Sequence, residues 1–229
     1  MIDIHTHVLP NVDDGSESYQ NSLDMLKNAC EQGITDLIIT PHLRDNYRLT
    51  GEQLKAEFNK FCAQVKEDGV DVNLYLGQEV FIEKEFKKLF TDKSVVTINN
   101  SSFVLIEFDY EQDFDIAEVV YDLILLNYKP IVAHFERYIY ADISVAREIK
   151  SLGGYIQINA DSLVGKSKKA YFKKVKKLFK EGLVDFVSSD VHAFRENNLK
   201  KAFDLVNKKF GAYTAKAVFK ENALVMING

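Results

Sequence analysis

The sequence contains no tryptophan, only three prolines and only two cysteines among its 229 residues. Few prolines and no low-complexity tract, together with 46% hydrophobic residues, exclude the composition of a disordered chain. The cysteines, Cys30 and Cys62, lie far apart in segments of helical pattern and form no metal-type pair, so we expect both to be small buried hydrophobes. Asp36 and Asp68 stand six positions after them, which excludes the Cys-x5-Arg phosphate loop of thiol phosphatases.

The chain also lacks an excess of positive charge and a long apolar run. Its 29 basic and 34 acidic residues give a formal charge of −5 and a pI near 5.6, which argues against nucleic-acid binding. No apolar run approaches the roughly 18 residues that a transmembrane helix needs. Met1 leads straight into a β-rich segment, without the charged and apolar regions of a signal peptide, so we expect a cytoplasmic protein that does not span a membrane.

Short β-rich apolar runs alternate along the chain with longer segments of helical period. This pattern is typical of βα units and a parallel sheet. Seven strands are predicted, at residues 1–5, 35–40, 72–76, 102–107, 130–134, 154–159 and 184–190. Thr50 and Gln53 are placed as a capping box, and two further helices are expected near 197–209 and 213–226. No linker or composition break divides the chain, which predicts a single α/β domain over residues 1–229.

The segment "MIDIHTH" carries three polar residues spaced two apart, Asp3, His5 and His7. Alternate side chains of a strand share a face, so we expect the three to point the same way. An isolated His-x-His is more simply an exposed polar edge strand. Its interpretation therefore depends on where the other histidines fall.

All five histidines of the sequence lie at or just after the carboxyl end of a predicted strand, and acidic residues occupy the same places. The histidines are His5, His7, His42, His134 and His192. The acidic residues are Asp13, Asp14, Glu79, Glu107 and Asp190. Parallel strands joined by helices place their carboxyl ends on one face, which is where ligands bind in such folds.

Taken singly, each of these residues has an ordinary structural explanation. His134 suits a hydrogen-bonded core position and Glu107 suits a strand-end ion pair. Taken together they require a compensating positive charge, because burying so many unpaired carboxylates is prohibitively costly. Imidazole and oxygen ligands without thiolate suit Zn²⁺, Mn²⁺ or Fe²⁺, and the number of ligands predicts two or three ions. Asp3 is expected to orient a metal-ligating side chain by hydrogen bonding to it, without contacting the ion itself.

The sequence resembles the polymerase and histidinol phosphatase (PHP) superfamily, and within it the bacterial protein-tyrosine phosphatases of capsule and exopolysaccharide operons. The matching stretches are "MIDIHTHVLPNVDDGSES", "GITDLIITPH", "GQEV", "LIEF", "PIVAHFERY", "VSSDVH" and "ENAL", in that order along the chain. The resemblance implies a TIM-like, distorted seven-stranded parallel β/α barrel with a site for three divalent ions. Manganese is the first expectation, with iron or zinc as alternatives.

Carried over residue by residue, the resemblance implies three sets of ligands that share Glu79. The first ion would be held by His5, His7, Glu79 and Asp190; the second by Glu107 and His134 with Glu79 bridging; the third by Asp14, His42 and His192. Arg137, in "HFERY", matches the family's phosphate-binding arginine.

This chain departs from the family pattern at several positions beside the ligands. Phe135 stands where the family often has proline or a small aliphatic residue, and Leu43 where it has a second histidine or arginine. After "DVH" the family has asparagine and later an arginine before prolines, whereas here Ala193 follows and Arg195 is out of register. The family's second basic contact to substrate is therefore expected from Arg195 or Arg44.

Further residues are candidates for supporting ligands or shaping a pocket. Asp13 lies in the loop after the first strand, and Glu136 either orients its neighbour Arg137 or is a plain surface carboxylate. Four aromatic residues follow strand-end ligands and either wall a phosphotyrosine ring or pack loops onto the barrel rim: Phe108, Tyr110, Phe135 and Tyr138. The lysine-rich segment 166–180 is most simply an amphipathic outer helix with a solvated basic face, the alternative being a docking surface for an acidic tail or a membrane.

These residues support the hypothesis of phosphotyrosine hydrolysis by a metal-activated hydroxide attacking in line. The resemblance implies a phosphotyrosine protein as partner, the tail of a membrane-bound tyrosine kinase. The alternatives are a small-molecule phosphomonoesterase of the histidinol-phosphatase type, a nuclease-like phosphodiesterase, or a module that binds phosphotyrosine without turnover. The oligomeric state does not follow from the sequence.

Overall fold

The strands of the computed structural model, which describes residues 1–44 and 46–228, pair in parallel throughout. The strands of this part of the chain are β1 (Ile2–Thr6), β2 (Asp36–Ile39), β3 (His42–Leu43), β4 (Asn73–Leu76), β5 (Glu79–Phe81), β6 (Phe103–Glu107), β7 (Lys129–Val132), β8 (Tyr155–Asn159) and β9 (Phe186–Ser188). They form a three-stranded sheet of order β1-β2-β4 and a six-stranded sheet of order β3-β5-β6-β7-β8-β9. The fold is α/β, as predicted.

Helices connect the strands and cover the sheets. They are α1 (Tyr19–Glu31), α2 (Gly51–Glu67), α3 (Phe86–Thr91), α4 (Ile116–Leu125), α5 (Ile143–Leu152), α6 (Ala160–Val164), α7 (Lys169–Lys180), α8 (Leu199–Phe210), α9 (Ala212–Phe219) and α10 (Leu224–Ile227). The predicted capping box of α2 is confirmed, since the Thr50 side chain accepts from the Gln53 N–H and the Gln53 side chain accepts from the Thr50 N–H. None of the helices within the described ranges combines the length and apolarity needed to cross a membrane.

All seven predicted strands are present, as β1, β2, β4, β6, β7, β8 and β9, but two further short strands, β3 and β5, were not predicted. Pro41, which lacks an N–H to continue the ladder, lies between β2 and β3, and Gly77 and Gln78 lie between β4 and β5. Single hydrogen bonds carry the contact across the gap: the Gly77 N–H donates to the Ile39 carbonyl (2.9 Å) and the Glu79 N–H to the Pro41 carbonyl (3.1 Å). The result is a three-stranded and a six-stranded sheet rather than one closed ring of seven.

The apolar core is divided by the sheets. An outer layer, including Leu37 of β2 and Val104 of β6, packs against the helices. A smaller cluster includes Ile2 of β1 and Phe103 of β6, with Met226 of α10 packed against it. Because the strands are buried on both sides, they read as nearly continuous apolar runs in the sequence.

The expectations about local structure are met in part. His5 and His7 point the same way, with their Nε2 atoms 3.1 Å apart, although the pairing of β1 with β2 shifts register between Asp3 and Thr6. Cys30 and Cys62 are half-buried rather than fully buried, and burial raises the pKa of Cys62 to about 11. The amphipathic character of segment 166–180 is confirmed in α7, which buries Val175 and Leu178.

Candidate metal centre

Every histidine of the sequence lies at the carboxyl ends of the strands, where the structure gathers all five with four acidic residues. Donor atoms of these nine side chains fall into four groups, and within each group the atoms lie within 4.8 Å of one another. The groups are His7, Asp14, His42 and His192; His5, His7 and Asp190; His5, Glu79 and His134; and His42, Glu79 and Glu107. We call the nine residues of these groups the metal-site cluster.

Glu79, the first residue of β5, lies at the middle of this cluster and is fully buried. Its Oε2 is 3.2 Å from His5 Nε2, 3.3 Å from His7 Nε2 and 3.0 Å from His42 Nδ1. Its Oε1 is 2.9 Å from His134 Nε2. One carboxylate therefore touches four imidazoles, and these histidines together belong to all four groups.

The Asp14 corner of the cluster is open to solvent. The Asp14 side chain is 42% exposed, and its Oδ1 lies 3.4 Å from His42 Nε2 and 3.6 Å from His192 Nε2. The Arg44 guanidinium contacts the other oxygen, Oδ2, at 3.2 Å. Small molecules would reach the cluster from this side.

Several buried donor atoms of the cluster have no hydrogen-bond partner. His42 Nδ1, Glu79 Oε2 and Glu107 Oε2 are all unpartnered and buried, yet His42 Nδ1 lies only 3.0 Å and 3.6 Å from the two carboxylate oxygens. Leaving such atoms unsatisfied costs about 1–3 kcal/mol each, and more for charged groups. A divalent cation among them would satisfy all three, so the donor set fits metal ions.

The electrostatics of the cluster also call for a cation. Burial and the negative charge of Glu79 raise the pKa of Glu107 to about 7. Burial opposes protonation of His42, but the negative charges of Glu79 and Asp14 beside its ring nitrogens outweigh it and raise the pKa of His42 to about 9. Burial lowers the pKa of His134 to about 4. Without metal, protons on some of these groups take the place of the missing positive charge.

Two of these residues adopt backbone conformations that L-residues rarely occupy. His134 has φ 32° and Asp190 has φ 52°, both in the left-handed region. Such conformations cost about 1–3 kcal/mol each and persist where the surroundings impose them, commonly at functional sites. In these conformations both side chains reach the cluster, and the Asn159 Nδ2 donates to Asp190 Oδ2 at 2.7 Å.

Of the acidic residues expected to support the cluster, one contacts a histidine side chain and the other contacts backbone N–H groups. Asp13 Oδ2 contacts His7 Nδ1 at 2.7 Å and accepts from the His42 N–H at 3.1 Å, so it orients two members of the cluster. Asp3 Oδ1 instead accepts from the backbone N–H groups of Ser189 (3.0 Å) and His5 (3.5 Å). Asp3 therefore fixes the junction of β1 and β9, and burial raises its pKa to about 6.

Three arginines lie at the edge of the cluster. Arg137 Nη2 and Arg195 Nη1 each lie 2.8 Å from the same oxygen of Asp190, Oδ2. Arg137 Nη1 also donates to the Tyr110 hydroxyl at 3.3 Å, and that hydroxyl donates to Glu107 Oε1 at 2.7 Å. Arg44 lies at the same edge, where it contacts Asp14. The structure therefore brings to one site all three arginines that the sequence offered as substrate-binding residues.

Glu136 is not a surface carboxylate, since it is 1% exposed. Its Oε1 accepts from the Asn159 N–H at 3.2 Å, and burial raises its pKa. It braces the turn that carries Arg137 against β8, while the Arg137 guanidinium bonds elsewhere.

The aromatic candidates differ in accessibility. Phe108, Phe135 and Tyr138 are fully buried, so the suggestion that they wall a substrate ring is corrected: they pack the loops onto the sheet ends. Tyr138 also supports the cluster, because its hydroxyl lies 3.3 Å from His134 Nδ1. Of the four candidates, Tyr110 alone is exposed, at 36%.

Two supporting residues escape the sequence analysis. Gln157 Oε1 accepts from the His134 N–H (2.7 Å) and lies 3.3 Å from His5 Nδ1. Lys174 of α7 turns inward and donates to the carbonyl oxygens of Phe135 (2.9 Å) and Tyr138 (2.8 Å), and burial lowers its pKa to about 8. The polar Gln157 within the apolar strand "GYIQIN" was an available signal, whereas nothing marked Lys174 among its lysine neighbours.

The fold and the cluster define a class: α/β proteins whose strand ends hold a buried histidine and carboxylate metal site. A family model described as capsular polysaccharide synthesis, CpsB/CapC, matches residues 1–228, so the chain belongs to the CpsB/CapC family.

Known relatives match this chain along its whole length. CapC of Staphylococcus aureus is 32% identical over 100% of this chain and 92% of its own. The tyrosine-protein phosphatase CpsB of Streptococcus pneumoniae is 30% identical over 97% of this chain and 96% of its own. A crystal structure from a study of YwqE of Bacillus subtilis and CpsB of Streptococcus pneumoniae, described as metal-dependent tyrosine phosphatases, superposes with a TM-score of 0.90 at 28% identity, covering 100% of this chain and 95% of that one.

Proposed function

We propose that this protein is a metal-dependent protein-tyrosine phosphatase that acts in capsular or extracellular polysaccharide synthesis. Relatives and a solved structure with this fold carry that activity in their names, and they match the chain over nearly its full length. The observation that carries the proposal is the buried metal-site cluster with Arg137 and Arg195 at its edge, because it joins metal donors to phosphate-binding groups.

The cluster is proposed to hold three divalent ions. His5, His7, Glu79 and Asp190 would hold the first, Glu107 and His134 with Glu79 the second, and Asp14, His42 and His192 the third. Support comes from the overlapping donor groups, in which Glu79, His5, His7 and His42 each belong to two. Manganese is proposed first, with iron or zinc as alternatives, since donors of this kind suit all three.

When bound, such ions neutralise phosphoryl charge and lower the pKa of water to about 7. The chain's own residues position the substrate. Arg137 and Arg195 each retain N–H donors beyond those used on Asp190, and guanidinium donors match phosphate oxygens in pairs. Both arginines therefore orient the phosphoryl group and stabilise the charge that develops on its oxygens. Tyr110 keeps Arg137 in place through the 3.3 Å hydrogen bond.

Chemistry favours an aryl phosphate as the substrate. The phenolate of tyrosine, with a conjugate acid pKa of about 10, leaves more readily than the alkoxide of serine, so no strong general acid is needed. The partner is proposed to be a phosphotyrosine protein, the tail of a membrane-bound tyrosine kinase, with the enzyme in the cytoplasm. The resemblance to the capsule phosphatases supports both the proposed partner and the proposed location.

The whole chain, residues 1–229, is proposed to form one phosphoesterase domain with a distorted seven-stranded barrel of the PHP type. The two sheets approach each other at the junction of β1 and β9 as well as at the gaps described above. There the Asp190 N–H donates to the His5 carbonyl (3.0 Å) and the His7 N–H to the Val191 carbonyl (3.1 Å). With β2 and β3 counted as one interrupted strand, and β4 and β5 as another, the strands number the seven that the proposed barrel requires.

The test is phosphate release from a phosphotyrosyl peptide and from a matched phosphoseryl peptide, with chelator-stripped protein before and after Mn²⁺ is added. We expect no release from stripped protein, restoration by Mn²⁺ and a strong preference for the tyrosyl peptide. Failure of the loaded protein on both peptides would contradict the tyrosine-phosphatase proposal. Turnover of a small phosphomonoester by the same sample would then favour the histidinol-phosphatase type of activity.

A further inference from the structure

Three aromatic residues surround the metal-site cluster, and each contacts one of its histidines. The ring centroid of Tyr47 lies 6.2 Å from that of His42, that of Tyr110 lies 5.6 Å from His134, and that of Phe194 lies 5.4 Å from His192. Each aromatic ring also lies beneath an arginine of the site. The guanidinium carbons of Arg44, Arg137 and Arg195 are 5.4, 5.9 and 5.2 Å from the centroids of Tyr47, Tyr110 and Phe194, respectively.

Phe194 differs from the other two rings in its exposure and chemistry. It is 72% exposed, whereas Tyr110 is 36% exposed and uses its hydroxyl on Glu107. A phenyl ring has no hydroxyl with which to bind the cluster, so the exposed part of Phe194 is left free to contact another ring or an apolar group. A single exposed apolar residue is ordinary on a protein surface. The position of Phe194 on a cluster histidine and under a phosphate-facing arginine is what sets it apart.

Phe194 stands at the open corner of the cluster. His192, on which its ring rests, contacts Asp14, whose side chain is 42% exposed. His42 contacts the same Asp14 oxygen and stacks with the Tyr47 ring, the two ring planes being 20° from parallel. Each of the two histidines that contact Asp14 therefore has an aromatic neighbour.

We propose that Phe194 is the residue that recognises the aryl group of the substrate. With the phosphoryl group held by Arg137 and Arg195, the phenyl ring of a phosphotyrosyl residue extends toward the open Asp14 corner and packs against Phe194. Arg195 links the two contacts, because it binds Asp190 Oδ2 at 2.8 Å and also lies over the Phe194 ring. This inference deepens the proposed function and rests on it.

The direct test compares binding of two non-hydrolysable probes, phenylphosphonate and methylphosphonate, to the Mn²⁺-loaded protein by calorimetry. Offset or edge-to-face ring contacts are modest in strength, so Phe194→Ala should weaken phenylphosphonate about tenfold and leave methylphosphonate within about twofold. Phe194→Leu, which keeps an apolar side chain, should weaken phenylphosphonate binding less than Phe194→Ala does. Tyr213→Ala, which truncates an aromatic residue of α9 that is 83% exposed, is the matched control and should change neither affinity.

Peptide kinetics give a second readout. Phe194→Ala should raise KM for the phosphotyrosyl peptide about tenfold with a smaller change in kcat, and should leave kcat/KM for the phosphoseryl peptide unchanged. Equal weakening of both phosphonates would overturn the proposal, since it would mean that Phe194 only supports His192. Wild-type protein that binds phenylphosphonate no better than methylphosphonate would also overturn it. Neither result depends on phosphotyrosine turnover, whose absence would count against the proposed function instead.

Discussion

Glu79 is the residue on which the cluster depends most. Its two oxygens contact the imidazoles of His5, His7, His42 and His134, and its side chain is 1% exposed. Removing its charge leaves buried imidazoles facing one another without a compensating anion, a cost that proteins rarely accommodate. The same carboxylate belongs to two of the donor groups, so its loss affects more than one ion.

Glu79→Gln should therefore reduce bound Mn²⁺ and lower phosphatase activity by roughly a thousandfold or more, since a lost metal removes both charge neutralisation and water activation. Metal content measured by atomic emission, alongside phosphate release, checks this. Glu83→Gln is the matched control, because Glu83 lies nearby and pairs with Arg48 at the surface. A Glu79→Gln protein with full metal content and normal activity would show that Glu79 is not a ligand.

Arg137→Lys separates substrate binding from metal binding. Lysine cannot reproduce the pair of contacts that the guanidinium makes with Asp190 and Tyr110. We expect kcat/KM for a phosphotyrosyl peptide to fall about 10²-fold, a loss typical of one charge-stabilising donor, with metal content unchanged. Arg147→Lys, at an exposed pair with Glu181, should have no effect. Loss of metal from Arg137→Lys would instead assign the arginine a structural role through Asp190.

At the scale of elements, periodicity and cap chemistry predict the α/β alternation and the α2 start, because both depend on local sequence. Pro41 is a local signal for the break between β2 and β3, whereas the break at Gly77 and the register shift in β1 depend on how strands meet, which no local pattern contains. The strand-end histidines were recognisable because a parallel fold gathers strand ends. Lys174 was not, since its inward direction is set by the packing of α7 on a turn far away in sequence.

Lys174 is expected to stabilise that turn, Phe135–Arg137, and this effect can be measured. Lys174→Met removes both hydrogen bonds to the carbonyl oxygens of Phe135 and Tyr138. We expect the free energy of unfolding to fall by about 1–3 kcal/mol, because two buried acceptors lose their donor. KM for a phosphotyrosyl peptide should rise as the turn carrying Arg137 loosens. Urea unfolding and steady-state kinetics test this against Lys173→Met, whose side chain is exposed; identical behaviour of the two variants would contradict it.

For the molecule as a whole, protonation of the metal-site cluster links metal binding to thermal stability. The cluster packs five imidazoles against four carboxylates, most of them buried, and with the pKa of His42 raised to about 9 a proton on His42 offsets part of this charge when no ion is present. An ion must displace those protons, since metal ligands bind in their deprotonated forms. Metal affinity and thermal stability should therefore change together with pH.

Saturating Mn²⁺ should raise the Tm of chelator-stripped protein at pH 7.5 and have little effect at pH 5. At a hundred times its Kd a ligand adds about 2.7 kcal/mol, which corresponds to a rise in Tm of about 5–11 °C for a chain of this size. The sign follows from competition: the pKa of Glu107 is raised to about 7 and that of His42 to about 9, so lowering the pH from 7.5 to 5 protonates Glu107 as well as His42 and weakens metal binding. Differential scanning calorimetry at both pH values, with Glu79→Gln as control, measures the shift. An equal rise in Tm at both pH values would mean that Mn²⁺ binds outside the histidine cluster.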